Sequence, residues 1–133
     1  MSLTKYNAKD CTIMVDGVYI TQVGEDMVTF EKDEAFYETS VGAQGDVVKS
    51  TINNPLHKIT LTIQPTSPQK AFLLNKCGSD EEFSVWVVNK KLGERFGGTL
   101  CSIPEMPQIS RGSTSEDLEF TFTVFDGVLE ATE

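Results

Sequence analysis

The stretch from Leu56 to Gly78 constrains the fold most. It reads Leu-His-Lys-Ile-Thr-Leu-Thr-Ile-Gln, then Pro-Thr-Ser-Pro, then Gln-Lys-Ala-Phe-Leu-Leu-Asn-Lys-Cys, then Gly. Ile59, Leu61 and Ile63 alternate with Thr60, Thr62 and Gln64. That is the period of a half-buried strand, with threonine giving a polar face that still suits β geometry. Pro65 has no N–H to donate and ends the ladder. Ser67 and Pro68 then read as an N-cap and first helical turn, and Gly78 as a left-handed stop. The middle of the chain is therefore a strand, a sharp corner and one short helix. The remainder reads as strands.

The 133 residues make one domain with room for a core. Residues 1–10 and 127–133 are expected to be flexible termini. Cys11–Val15 and Val18–Val23 form a hairpin about Asp16-Gly17. Gly24–Asp26 is expected to be a turn and Met27–Lys32 a strand. Phe36–Val41 and Asp46–Ile52 flank the glycine-bearing tip Gly42–Gly45. After the helix, Phe83–Asn89 is apolar on both faces, with Trp86 expected in the core. Lys90–Gly98 reads as a connection, Thr99–Ile103 and Gln108–Arg111 as short strands, and Leu118–Phe125 as an alternating strand.

Met27–Val41 and Val47–Ile63 together describe one long hairpin, broken at Asp33–Glu34 and at Asn53–Pro55. Fully extended, the first arm would span ~50 Å at ~3.3 Å per residue. A compact domain of this length is only ~36 Å across. The arm must bend or its tip must project. The outer part, residues 36–52, still carries Phe36, Tyr37, Val41, Val47 and Val48. A two-stranded ribbon is marginal alone in water, so these groups call for a neighbour that covers them. A loop folded back on its own domain satisfies the same pattern.

Formal net charge is −9, from 20 acidic and 11 basic residues. Nucleic-acid binders need clustered lysine and arginine, so specific nucleic-acid binding is not expected. No apolar run approaches the ~20 residues of a membrane helix, and no membrane insertion is expected. The N-terminus lacks the blocks of a signal peptide. Cys11, Cys77 and Cys101 are odd in number and widely spaced, as in reduced, mostly buried thiols.

Chemistry is sparse. His57 is the one histidine, with no nucleophile and orienting group beside it in sequence. The cysteines lack the paired spacing of a zinc site. Gly97-Gly98 lacks the ending of a phosphate loop. Asp33 and Glu34 read as solvated. No enzymatic activity, metal or cofactor is expected.

Several segments resemble tail tube proteins of contractile-tailed phages and of R-type, phage-tail-like bacteriocins. They are Gly17-Val-Tyr-Ile-Thr-Gln-Val-Gly-Glu-Asp, Val28-Thr-Phe-Glu-Lys-Asp-Glu-Ala-Phe, Val41-Gly-Ala-Gln-Gly-Asp-Val, Asn53-Asn54, and Lys58-Ile-Thr-Leu-Thr-Ile-Gln-Pro-Thr-Ser-Pro. The resemblance covers roughly residues 11–125 and is weakest after Gly93. It implies a mainly β fold, two packed antiparallel sheets in a sandwich or barrel-like form, with one flanking helix and a long projecting hairpin. It further implies hexameric rings stacked as a tube inside a contractile sheath, with baseplate and tail terminator proteins as further partners. Such a protein is made in the bacterial cytoplasm and resides in a virion or bacteriocin particle.

On that resemblance, Phe36, Tyr37, Val41, Gly42, Gly45, Val47 and Val48 are candidate inter-subunit contacts. Glu31, Thr60, Thr62, Glu119, Thr121 and Thr123 are candidate lumen-facing residues, although bulk solvent suits the same pattern. The acidic balance implies a lumen that repels DNA, so that DNA can pass without sticking; in a bacteriocin the tube is empty. A monomeric β-barrel that binds a small ligand or carbohydrate, with Trp86 in its pocket, is the other reading of the residues.

Overall fold

A computed structural model describes Leu3 and residues 5–131. It contains ten strands and one α-helix: β1 (Cys11–Val15), β2 (Val18–Tyr19), β3 (Val23–Lys32), β4 (Tyr37–Val41), β5 (Val47–Thr51), β6 (His57–Ile63), α1 (Lys70–Lys76), β7 (Phe83–Asn89), β8 (Glu94–Ser102), β9 (Leu118–Val124) and β10 (Val128–Ala131). All strand pairings are antiparallel.

The larger sheet runs β2-β1-β7-β8-β9-β6-β3, with β10 also on β8. Strand β8 turns the sheet from one layer into the next. Its first half pairs with β7 and β10, and its end, Cys101 and Ser102, pairs with β9. The sheet rolls far enough for Phe30 on β3 to meet Phe96 on β8, with ring centroids 5.2 Å apart. Between the layers lie Ile13, Val15, Val85 and Val87 on one side and Ile59, Leu61, Phe120 and Phe122 on the other, all buried. The β6 and β9 alternation read from the sequence is the inner wall of this core. Helix α1 closes one side with the fully buried Leu73. The fold is thus mainly β, with two antiparallel sheets and one flanking helix.

The hairpin at Asp16-Gly17 turns with φ of 50° and 78°, the left-handed pair that a two-residue β-turn requires. Helix α1 begins later than Ser67-Pro68 implies. Gln69 occupies the cap position, and the Ser67 hydroxyl donates to the Thr21 carbonyl oxygen at 2.8 Å. Gln69 Oε1 accepts from Thr21 N at 2.9 Å. The corner is pinned to the distant β2–β3 connection instead of capping its own helix. Gly78 does end the helix, at φ 72°.

Other expectations need correction. Gly24–Asp26 is an irregularity inside β3, where the register with β6 shifts between Val23 and Val28. Strand β8 starts at Glu94, within the expected connection, since Glu94 to Gly98 pair with Asn89 to Val85; Gly97 allows this by packing against the Val85 carbonyl where any Cβ would collide. Gln108–Arg111 is not a strand; Arg111 makes one isolated bridge to Ser115. Trp86 is outside the core, half-buried on the outward face of β7 beneath the Arg95 guanidinium, 3.8 Å from its ring. The tail after Gly127, expected to fray, pairs with β8 as β10 through Ala131. The end of that expected flexible terminus, at positions 132 and 133, lies outside the described residues, as do positions 1, 2 and 4 of the other.

Candidate assembly surfaces

The outward face of β3, β6 and β9 is a polar lattice. Thr29, Thr60 and Thr121 stand in register across three strands, and Thr62 pairs with Glu119. Lys58 lies between Glu31 and Thr123 and reaches Glu31 at 3.9 Å. The candidate lumen residues Glu31, Thr60, Thr62, Glu119, Thr121 and Thr123 therefore share one continuous surface. Threonine suits it because its β-branch favours the strand and its hydroxyl stays hydrated. The face holds Glu31 and Glu119 against Lys58, so little of the −9 net charge resides there. An electrostatic barrier along this lattice is correspondingly weak.

The second surface is the ribbon. Strands β4 and β5 pair with each other and form their own two-stranded sheet. Every residue from Asp33 to Thr51 is exposed, on both faces. A ribbon lying against its own domain would cover one face. Phe36, Tyr37, Val41, Val47 and Val48 remain 72, 50, 67, 63 and 58% exposed. Val41 and Val47 pair beside the tip, where Gly42 N donates to Asp46 O at 2.8 Å and Gly45 takes φ 90°. Gly45 needs no Cβ clearance; it is required by that left-handed backbone.

The ribbon's root is clamped. The Asn54 amide donates to Asp33 Oδ2 at 2.9 Å and Glu34 Oε2 at 3.0 Å, while its Oδ1 accepts from Leu56 N at 3.0 Å. Lys32 Nζ donates to Asn54 O at 2.8 Å and lies 4.9 Å from the Phe36 ring centre. Asp33 and Glu34 are thus tethers, not merely solvated charges. In the sequence all three fall in segments that carry the resemblance and read as a charged break and a bend, with no sign of a clamp.

Beside the root lies an open apolar hollow of about 440 Å³, walled by Phe30, Phe36, His57, Gly127 and Leu129 with Lys32 and Glu31 at its rim. His57 stacks on Phe30 at 5.1 Å, and Gly127 is glycine because a Cβ would strike the imidazole. The hollow leaves little mark in the sequence, where Leu129 falls in an acidic tail expected to fray and His57 suggests only a catalytic base. His57 Nδ1 lies 2.9 Å from the Pro55 carbonyl oxygen. Burial pushes the Cys101 thiol up to about 12 and raises Cys77; burial and the Glu94 charge raise Cys11. These shifts run opposite to that of an activated thiolate. Among the described residues, no group of three or more His, Cys, Asp or Glu is placed to hold a metal. No helix there is long and apolar enough to cross a membrane.

No protein-family model and no curated protein sequence matches the chain. Solved structures do. One is a chain of the sheath/tube terminator of an extracellular contractile injection system, PVC, in its extended state: TM-score 0.68, 11% identity, covering 98% of this chain and 100% of that one. A chain of the PVC sheath-tube complex aligns with TM-score 0.62, 13% identity and coverage of 96% and 93%. A chain of the anti-feeding prophage cap, a tube-terminating cap, aligns with TM-score 0.63, 9% identity and coverage of 99% and 95%. Over nearly its whole length, this chain shares its fold with components of contractile injection particles.

Proposed function

We propose that the chain is a structural subunit of the inner tube of a contractile tail and works by self-assembly, with no catalytic step. The observation that carries this reading is the ribbon: a strand pair exposed on both faces that nevertheless presents Phe36, Tyr37, Val41, Val47 and Val48. The described residues leave each of them at least half exposed, and burial of such side chains is worth ~1.5–3 kcal/mol each. Six copies close into a ring, removing the open edge of β3, and rings stack within a sheath. The threonine lattice faces the lumen. Sheath, baseplate and terminator proteins are the neighbours, and the subunit resides in a phage or bacteriocin particle. The fold likeness to chains of a sheath-tube complex supports this.

A second reading is the terminal ring that ends such a tube. The alignment with the sheath/tube terminator, at TM-score 0.68 and complete coverage of that chain, favours it. Negative-stain microscopy of the concentrated protein separates the two. Long tubes support the tube subunit and single closed rings the terminator. A strict monomer that retains a small ligand supports the pocket-bearing barrel instead. The lumen assignment is checked with Thr62→Cys in a chain lacking Cys11, Cys77 and Cys101. A thiol reagent too large to enter the tube should label the monomer and fail to label assembled tubes; equal labelling of both refutes the assignment.

A further inference from the structure

Among the described residues, two open apolar hollows differ in the charge of their rims. One, of about 320 Å³ beside Tyr6, Met27 and Phe96, is rimmed by Glu25, Asp26 and Glu94. The other is the hollow at the ribbon root, where Lys32 lies at the rim. Lys32 Nζ has a neutral carbonyl as its partner and no carboxylate among the described residues. Glu31, the acid on that wall, is already engaged with Lys58. At the far end of the ribbon, Val41 and Val47 form an exposed apolar pair next to Asp46, whose carboxylate has no partner among the described residues.

We propose that the ribbon tip of one copy seats Val41 and Val47 in the root hollow of the next copy, with Asp46 against Lys32. This contact rests on the tube reading and specifies the partner of the ribbon as a second copy of the chain. The charges favour the root hollow: Lys32 is present there and Asp33 and Glu34 are tied to Asn54, whereas the rim of the other carries three carboxylates and no cation and would repel Asp46. Tip and hollow are different surfaces of one molecule, so the contact is heterologous. Joined head to tail it repeats in one direction, as a stacked assembly requires. Seating the tip also covers Phe36 and Leu129, 72% and 65% exposed in the single chain.

Charge exchange on the full-length chain tests the contact. Asp46→Lys and Lys32→Asp should each raise the concentration needed for assembly, read by sedimentation, at least about tenfold, since like charges then face each other. A one-to-one mixture of the two should assemble near the wild-type concentration, because each altered surface meets its complement. Should Lys32→Asp lower the melting midpoint, Leu129→Asp at the opposite rim replaces it. Variants that assemble like wild type, or a mixture that fails to rescue, overturn this contact alone. A wild-type chain that never assembles overturns the tube reading and this contact with it.

Discussion

The rolled sheet and the ribbon are both antiparallel β-structure, yet their side chains meet opposite fates. In β9, Leu118, Phe120, Phe122 and Val124 are all at most 1% exposed. In β4 and β5 every residue is exposed, and Val41 is at 67%. The strands of the sheet are specified by their own core: one polar face, one apolar face, and an apolar face that another layer covers. The ribbon carries apolar groups on both faces, with Tyr37 and Val41 on one and Val48 on the other. No single layer of the same chain could satisfy that pattern. Burial in one region stabilises the monomer, and burial in the other awaits association.

The largest test of this contrast is Phe122→Ala. Phe122 is fully buried and meets Phe83 edge-on at 6.1 Å. Its removal should cost about 3–5 kcal/mol in urea unfolding and abolish assembly through loss of the fold. A smaller loss would mean that the two layers are less tightly joined than their contacts imply.

Next comes Asp126→Ala. The Asp126 carboxylate accepts from Thr99 N at 3.0 Å, from Leu100 N at 2.9 Å and from the Thr99 hydroxyl, holding β8 where it leaves one layer for the other. Partial burial pushes the carboxyl upward, but the hydrogen bonds from Thr99 and Leu100 outweigh it and hold it below its ordinary value of 3.8. The substitution should cost about 1–2 kcal/mol at neutral pH. The depressed carboxyl stabilises the fold above pH 3.8, and that contribution disappears as pH falls through the folded-state value. The gap between wild type and variant in thermal melts should therefore narrow below pH 3.8 and stay constant at higher pH.

The smallest effect on stability belongs to the ribbon. Phe36→Ser combined with Val48→Ser should shift unfolding free energy by no more than about 0.5 kcal/mol, as exposed sites do. The same double variant should lose polymerisation in sedimentation. Normal polymerisation, or a collapsed melting midpoint, would erase the distinction between the two regions.

What could be read from the sequence follows the same division. Ile59, Leu61 and Ile63 alternate because their burial is decided strand by strand, and the ribbon declared itself through its breaks and its unplaced apolar residues. Three of the misses are non-local. Ser67 looks like a helix cap, but its hydroxyl serves Thr21, 46 positions away. Gly97 looks like a loop residue, but its bare backbone marks the close approach of Val85. Strand β10 is exposed throughout and carries no alternation, so its pairing with β8 left no trace in the pattern. The root hollow needed three such elements brought together, which is why its residues did not stand out.

The Asn54 clamp has a mechanical consequence. It ties the break in one arm to the break in the other, so a pull at the tip cannot simply straighten the root. The load passes into β3 and β6, and from β6 into β9 through seven consecutive residue pairs. A tug along the strand direction strains those backbone bonds in shear, sharing the force among many instead of opening them one at a time. The ribbon is built less like a flexible arm than like a tie rod anchored in the wall of its own domain.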